Sequence, residues 1–362
     1  MSEFFKLQDI DRKLHDWTTR ISYLTINPTN LNVEQEKVMK DGDYNPQFEY
    51  APLLFDPDKM REELDAINEH ESVLGEVFNA KRNEFLDKID MLVNRGNKRF
   101  SIYSKKAYGF PSESTLRKAA EMLNLESDKE EKTITAKKAL GIIGSELIHY
   151  GFRYELSEKE MSATASVLAT SRKLFLRQGY MFSPNYVKRI IIHEIGTHVL
   201  RAENGRLQPF MLFVQGFPNY LVTEEGLAVW NEEKFGLLSK ETLRNYAARA
   251  LAVRMAKTES FAKIYNHLRQ YFSDSWAFRL TARVKRGLGD TAQPGGATRD
   301  YSYLEGYMKV KEYLKEDTKE KMMKMYTGKV SLEYVDKVFD MHGIKPPRYL
   351  PENQSFKNLL SF

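Results

Sequence analysis

Apolar residues at positions 4, 7, 10, 14, 17 and 21 (Phe4, Leu7, Ile10, Leu14, Trp17, Ile21) recur at helical spacing and predict an amphipathic helix over residues 3–24. Residues 25–56 contain Pro28, Gly42, Pro46 and Pro52, which interrupt periodicity and predict an irregular connection. Two helices are expected over 58–95, where Leu, Ile and Val line one face and Glu and Lys the other. The run Arg99-Phe100-Ser101-Ile102-Tyr103-Ser104 alternates and reads as a strand, while 114–150 reads as helix broken by a solvated turn at Ser127–Lys132. Residues 152–182 suggest short strands, and helical texture returns from 184 to about 285 and from 302 to 342. The expected class is α+β, predominantly helical, with a small sheet just before the segment richest in chemistry. A helical N-terminal region over 1–95 and a second region over 96–362 are the expected domains.

That segment runs Ile190-Ile191-Ile192-His193-Glu194-Ile195-Gly196-Thr197-His198. Two of the seven histidines of the chain flank a glutamate on an apolar helix. In the zinc-protease pattern H-E-x-x-H the histidines stand four apart and share a face. Here they stand five apart, so at about 100° per residue a regular helix would hold them about 140° from each other. A π-bulge, which adds one residue to a turn and recurs at functional sites, would return both to one face. Gly196, without a Cβ, would ease that distortion. Two unrelated buried histidines are the plainer alternative.

Composition narrows the chemistry. The 362 residues contain no cysteine, so thiolate metal sites, disulfides and thiol catalysis are excluded, and a metal must be held by His, Asp or Glu. The net charge of +5 is spread along the chain, without the clustered basic stripe of a nucleic-acid binder. No stretch approaches the ~18 apolar residues of a membrane span. A cytoplasmic setting is therefore expected, with neither nucleic acid nor membrane as partner.

A catalytic zinc takes three protein ligands. Downstream lies Thr223-Glu224-Glu225-Gly226-Leu227-Ala228, with Thr223 suited to cap a helix. This E-G-L-A segment resembles the way aminopeptidase-type gluzincins present their third ligand. By that likeness Glu225 binds the metal, Glu224 caps the helix or supports the ligands from behind, and Gly226 lets the two helices approach. Together with His193-Glu194-Ile195-Gly196-Thr197-His198 and Gln208-Pro209, it resembles the microtubule-associated tyrosine carboxypeptidase family. Tyr108-Gly109-Phe110-Pro111 and Gly295-Gly296-Ala297-Thr298-Arg299-Asp300 add to the likeness.

The resemblance implies a gluzincin-like zinc metallopeptidase with one Zn2+ per chain on His193, His198 and Glu225. It also implies a carboxypeptidase removing a C-terminal residue, aromatic or tyrosine among the candidates, from a peptide or protein, with tubulin a substrate by resemblance alone. Glu194 is placed to act as general base and acid. A terminal carboxylate asks for arginine, and Arg299, ahead of Arg283 and Arg286, is the candidate, with Tyr301 and Tyr303 lining the terminal residue. The Gly295–Tyr303 stretch reads equally as a hinged clamp or an exposed turn. The competing functions are a zinc endo- or aminopeptidase and a non-catalytic, metal-stabilised regulatory protein.

Overall fold

The computed structural model describes residues 3–351 apart from Ser22, Glu69, Lys129, Ser162 and Asp317. The chain divides into two compact units, each made of two stretches: Met1–Leu125 with Leu243–Glu305, and Glu126–Thr242 with Gly306–Phe362. It is mostly helical with small sheets, the α+β class expected. No helix among the described residues is long and apolar enough to cross a membrane.

The first unit is built around the helix Val73–Val93, capped by Ser72, whose hydroxyl accepts the Gly75 N–H at 3.1 Å. Helices Glu3–Arg20, Pro57–Asp65 and Phe100–Tyr108 pack on it. The first two match the periodicity; the helix Leu31–Lys40 inside the expected irregular connection does not. The strand expected at 99–104 is also a helix. Its buried positions are Phe100, Ser104 and Ala107, the i, i+4, i+7 stripe, and Ile102 is left exposed. Ser104 is buried because its hydroxyl meets Thr298 at 3.3 Å and accepts the Thr298 N–H at 3.0 Å. A serine inside a helical stripe disguised the period.

The second unit holds both sheets. Strands β1 (Ile134–Thr135) and β5 (Met181–Phe182) pair antiparallel. The other sheet runs β2 (Glu155–Lys159), β4 (Lys173–Arg177), β3 (Ala165–Leu168), with β4 parallel to β2 and antiparallel to β3. Leu174 and Leu176 on β4 are fully buried at period two. Helix Ala136–His149 packs on β2 and β4, and β3 packs on the helix that follows the sheets. The solvated turn expected at 127–132 is non-helical at its described positions, with Lys129 outside them.

That following helix starts cleanly. Ser183 caps it by accepting the Tyr186 N–H, and Pro184 occupies its first position. Residues Pro184–Ile190 are α-helical, Ile191–Val199 form a π-helix, and Leu200–Gly205 return to α. The wide turn demanded by the five-residue histidine spacing is therefore present. The adjoining helix Tyr220–Lys234 packs along it.

Candidate metal centre

The π-helix brings His193 and His198 to one face, their ring centroids 5.0 Å apart and nearly perpendicular. Glu225 comes from the adjoining helix. Its Oε2 lies 3.6 Å from His193 Nε2 and 3.9 Å from His198 Nε2. These three atoms form the one cluster of potential ligands among the described residues. Ligands about 2 Å from one tetrahedral ion stand roughly 3.3 Å apart, so the spacing suits donors surrounding a shared cation.

The far side of each imidazole is fixed by a carboxylate. His193 Nδ1 lies 2.7 Å from Glu232 Oε1, and His198 Nδ1 lies 2.8 Å from Glu224 Oε1. Glu232 also accepts from Arg189 at 2.9 Å. Glu224 pairs with the fully buried Arg201 and faces Lys329 Nζ at 3.6 Å. Burial alone would raise the Glu224 carboxyl, but Arg201, Lys329 and His198 hold it well below the usual range. Both glutamates are thus acceptors, which places the Nδ1 protons and turns each Nε2 inward. Burial opposes a charge on His193, yet hydrogen bonding to Glu225 and Glu232 and the nearby Glu194 push its pKa up to about 10. The field that favours a proton on this ring favours a cation at the same place.

Glu194 differs from the other three glutamates. It is buried, on the turn that carries His193, and its side chain makes no hydrogen bond or ion pair among the described residues.

Two expectations about the adjoining helix change. The helix begins at Tyr220, so Thr223 is interior; its hydroxyl accepts the Leu332 N–H at 2.9 Å. Glu224 takes the second of the two roles expected of it, holding His198 from behind. Gly226 faces Gly306, not the metal helix: a Cβ on Gly226 would stand 2.1 Å from the Gly306 carbonyl carbon. The sequence reading missed Glu232, Arg189, Arg201 and Lys329 as supports. Only Glu232 carried a signal, at seven residues, two helical turns, after Glu225.

The residues expected to hold substrate belong to the first unit. Arg283 gives its Nε and, at 2.9 Å, its Nη2 to Asp300, and Arg286 Nη2 approaches the same carboxylate at 3.6 Å. Tyr301 donates to the Tyr108 carbonyl at 2.6 Å, and Tyr303 stacks on Tyr246 at 5.0 Å with Arg249 over its ring. Arg299 opens a short 3₁₀ turn just before the helix Ser302–Tyr313. The glycine stretch is tied down: Gly295 N–H bonds the Ala256 carbonyl at 2.6 Å and Gly296 N–H the Ser101 hydroxyl at 2.8 Å.

Fold and site together define a mostly helical α+β protein with a His-His-Glu cluster, buried but for the half-buried His198, that could hold a cation. The profile of the microtubule-associated tyrosine carboxypeptidase family matches residues 36–361, and the chain belongs to that family. Mouse microtubule-associated tyrosine carboxypeptidase 1 is 25% identical over 350 residues, covering 93% of this chain and 67% of the mouse protein. The rat protein of that name is 25% identical over 337 residues, 91% of this chain and 64% of its own length. The human one is 29% identical over 198 residues, 52% of this chain and 40% of its own. The chain thus spans about two thirds of the length of its rodent relatives.

Proposed function

We propose that this chain is a zinc-dependent metallopeptidase of gluzincin-like design and that it acts as a carboxypeptidase. The observation that carries the reading is the convergence of His193 Nε2, His198 Nε2 and Glu225 Oε2 beside Glu194, whose carboxylate no other described side chain engages. Two nitrogens and a carboxylate oxygen, without thiolate, suit Zn2+, one per chain. Zinc, when bound, supplies Lewis acidity, making water more acidic and polarising a carbonyl.

The chain's own residues do the rest. Glu232 and Glu224 hold the two imidazoles in the tautomer that directs Nε2 inward. Glu194 accepts the proton of the attacking water and returns it to the departing amine, so the peptide bond breaks with the proton balance closed. Burial limits the water around that carboxylate and strengthens its electrostatic action.

The exopeptidase direction is supported by the family and by the names of the relatives, which are tyrosine carboxypeptidases. The substrate is then the C-terminus of a peptide or protein, with a terminal tyrosine the first to try and a tubulin tail the first protein. A free carboxylate needs a cation. Arg299 is the first variant to make, ahead of Arg283 and Arg286.

The test uses zinc-loaded protein and a peptide ending in tyrosine, as the free acid and as the amide. Release of tyrosine from the acid alone is expected. Equal cleavage of the amide would overturn the carboxypeptidase reading, and metal binding without cleavage of any peptide would overturn the enzyme. Glu194→Gln should retain zinc while turnover falls about 10²–10⁴-fold, the usual worth of a general base.

A further inference from the structure

A helix that passes from the π to the α repeat cannot pair every carbonyl with an N–H. The N–H of Leu200 is shared between the carbonyl five residues back, Ile195, and the one three back, Thr197. Beyond it the chain is α-helical, and the Leu200 bonds fall on the carbonyls either side of Gly196, so the change of repeat passes over the Gly196 carbonyl. A buried carbonyl left this way carries a desolvation cost that acts against the wide turn.

The structure supplies that carbonyl with a partner from 130 residues away. Tyr326, fully buried in the C-terminal part of the chain, donates its hydroxyl to the Gly196 carbonyl at 2.6 Å. Asn231, also fully buried, sits on the helix that carries Glu225. Its Nδ2 donates to the Tyr326 hydroxyl and to the Thr197 hydroxyl, each at 2.8 Å. The Tyr326 oxygen therefore accepts from Asn231 and donates to Gly196, which fixes its proton on the skipped carbonyl. Thr197 in turn lies one residue before His198, and its hydroxyl points to the Ile192 carbonyl five residues back, at 3.5 Å.

We infer that Tyr326, with Asn231 and Thr197, is a positioning device that holds the π-turn open and so keeps His193 and His198 on one face. Without it the helix relaxes toward the regular repeat, in which histidines five apart diverge. The segment around Tyr326 braces the same centre a second way: Arg201, which pairs with Glu224, donates to the carbonyls of Met325, Gly328 and Val330. The histidines are thus aligned from outside by residues that touch neither metal nor substrate. This inference rests on the metal reading above.

Tyr326→Phe removes one hydroxyl and keeps the ring. In metal-free protein, amide hydrogen exchange across residues 191–201 should speed up at least tenfold in this variant. With Co2+ as the probe metal, affinity should fall at least tenfold and the visible absorption band should change shape. Thr197→Val, of the same shape as threonine, breaks the Asn231 leg and should move both readouts in the same direction by less; it carries the test if Tyr326→Phe folds poorly. Thr281→Val, which removes a comparable buried hydroxyl bonded to the Ala277 carbonyl in the first unit, should lower thermal stability yet leave both readouts unchanged. Unchanged Co2+ affinity and spectrum in folded Tyr326→Phe would overturn the inference while leaving the metal centre standing. Wild-type protein that binds neither Co2+ nor Zn2+ would overturn the metal reading and this inference with it.

Discussion

In the first unit, Asp300 receives the fork of Arg283 and a longer contact from Arg286; in the second, Glu224 and Glu232 receive the Nδ1 sides of two histidines. The carboxylates of both clusters are buried, and Asp300 and Glu224 are kept charged in spite of it. Asp300 is held well below its usual range by the two arginines. Arg286 is pushed down to about 10 by burial, against the attraction of Asp300, with the neighbouring Arg283 and Arg299 adding to the fall and Tyr108 opposing it. The arginine cluster gives its anion to its own cations. In the histidine cluster the anions are spent on one edge of each ring, and the opposite nitrogens converge on Glu225. One arrangement pairs its carboxylate with its own cations; the other leaves three donors converging where, on the proposal above, a cation from outside would complete them.

The comparison breaks most visibly at Glu225. Glu225→Ala removes a ligand and should abolish stoichiometric zinc binding as read by metal analysis after dialysis. Glu232→Gln keeps the ligands and removes only the charge behind His193, so affinity should fall about 10–100-fold, the usual range for groups behind a ligand. If the order were reversed, with Glu225→Ala retaining zinc, the ligand set would be wrong.

Next come the paired carboxylates themselves. Asp300→Asn leaves Arg283 and Arg286 buried without their anion, and Glu224→Gln does the same to Arg201. Each should lower unfolding free energy by about 3–5 kcal/mol, measured by urea denaturation of metal-free protein. Only Glu224→Gln should also weaken zinc binding, because only Glu224 orients a ligand. Equal metal affinity in the two variants would remove the distinction between the clusters.

What could be read beforehand follows the same division between local and distant. The spacing of His193 and His198 demanded a wide turn because both residues lie in one short segment, and a five-residue interval has no other way to share a face. Glu225 was reached through the E-G-L-A likeness. Tyr326 and Arg201 were out of reach: Tyr326 is one of 20 tyrosines, and its partner carbonyl belongs to a glycine 130 residues earlier. Thr223 misleads because a good capping residue suggests a helix start, whereas the helix begins at Tyr220 behind Asn219, which adopts a left-handed conformation at φ 57°. Local propensity proposes boundaries, and tertiary hydrogen bonds such as Leu332 to Thr223 decide them.

The smallest effect concerns a buried carboxyl that has no cation. Glu146, on the helix Ala136–His149, is 5% exposed, and its Oε1 meets no hydrogen-bond donor among the described residues. Burial alone pushes its pKa up to about 7 from 4.5. The unfolded chain therefore releases this proton more readily than the folded one. Glu146 leaves stability untouched below about pH 4, and stability falls as pH rises from about 4.5 to about 7. The loss is at most about 3.5 kcal/mol, at about 1.4 kcal/mol for each unit of pKa difference. Glu224 shows the opposite sign, because Arg201 and Lys329 more than offset its burial. Glu146→Gln should remove the slope: no gain over wild type at pH 4, and a gain growing to at most about 3.5 kcal/mol at pH 8. The difference between the two denaturation curves across that range is the measurement. A variant equally stable relative to wild type at both ends would mean that the Glu146 carboxylate finds a partner or water when it ionises, and the contrast with Glu224 would then rest on Arg201 alone.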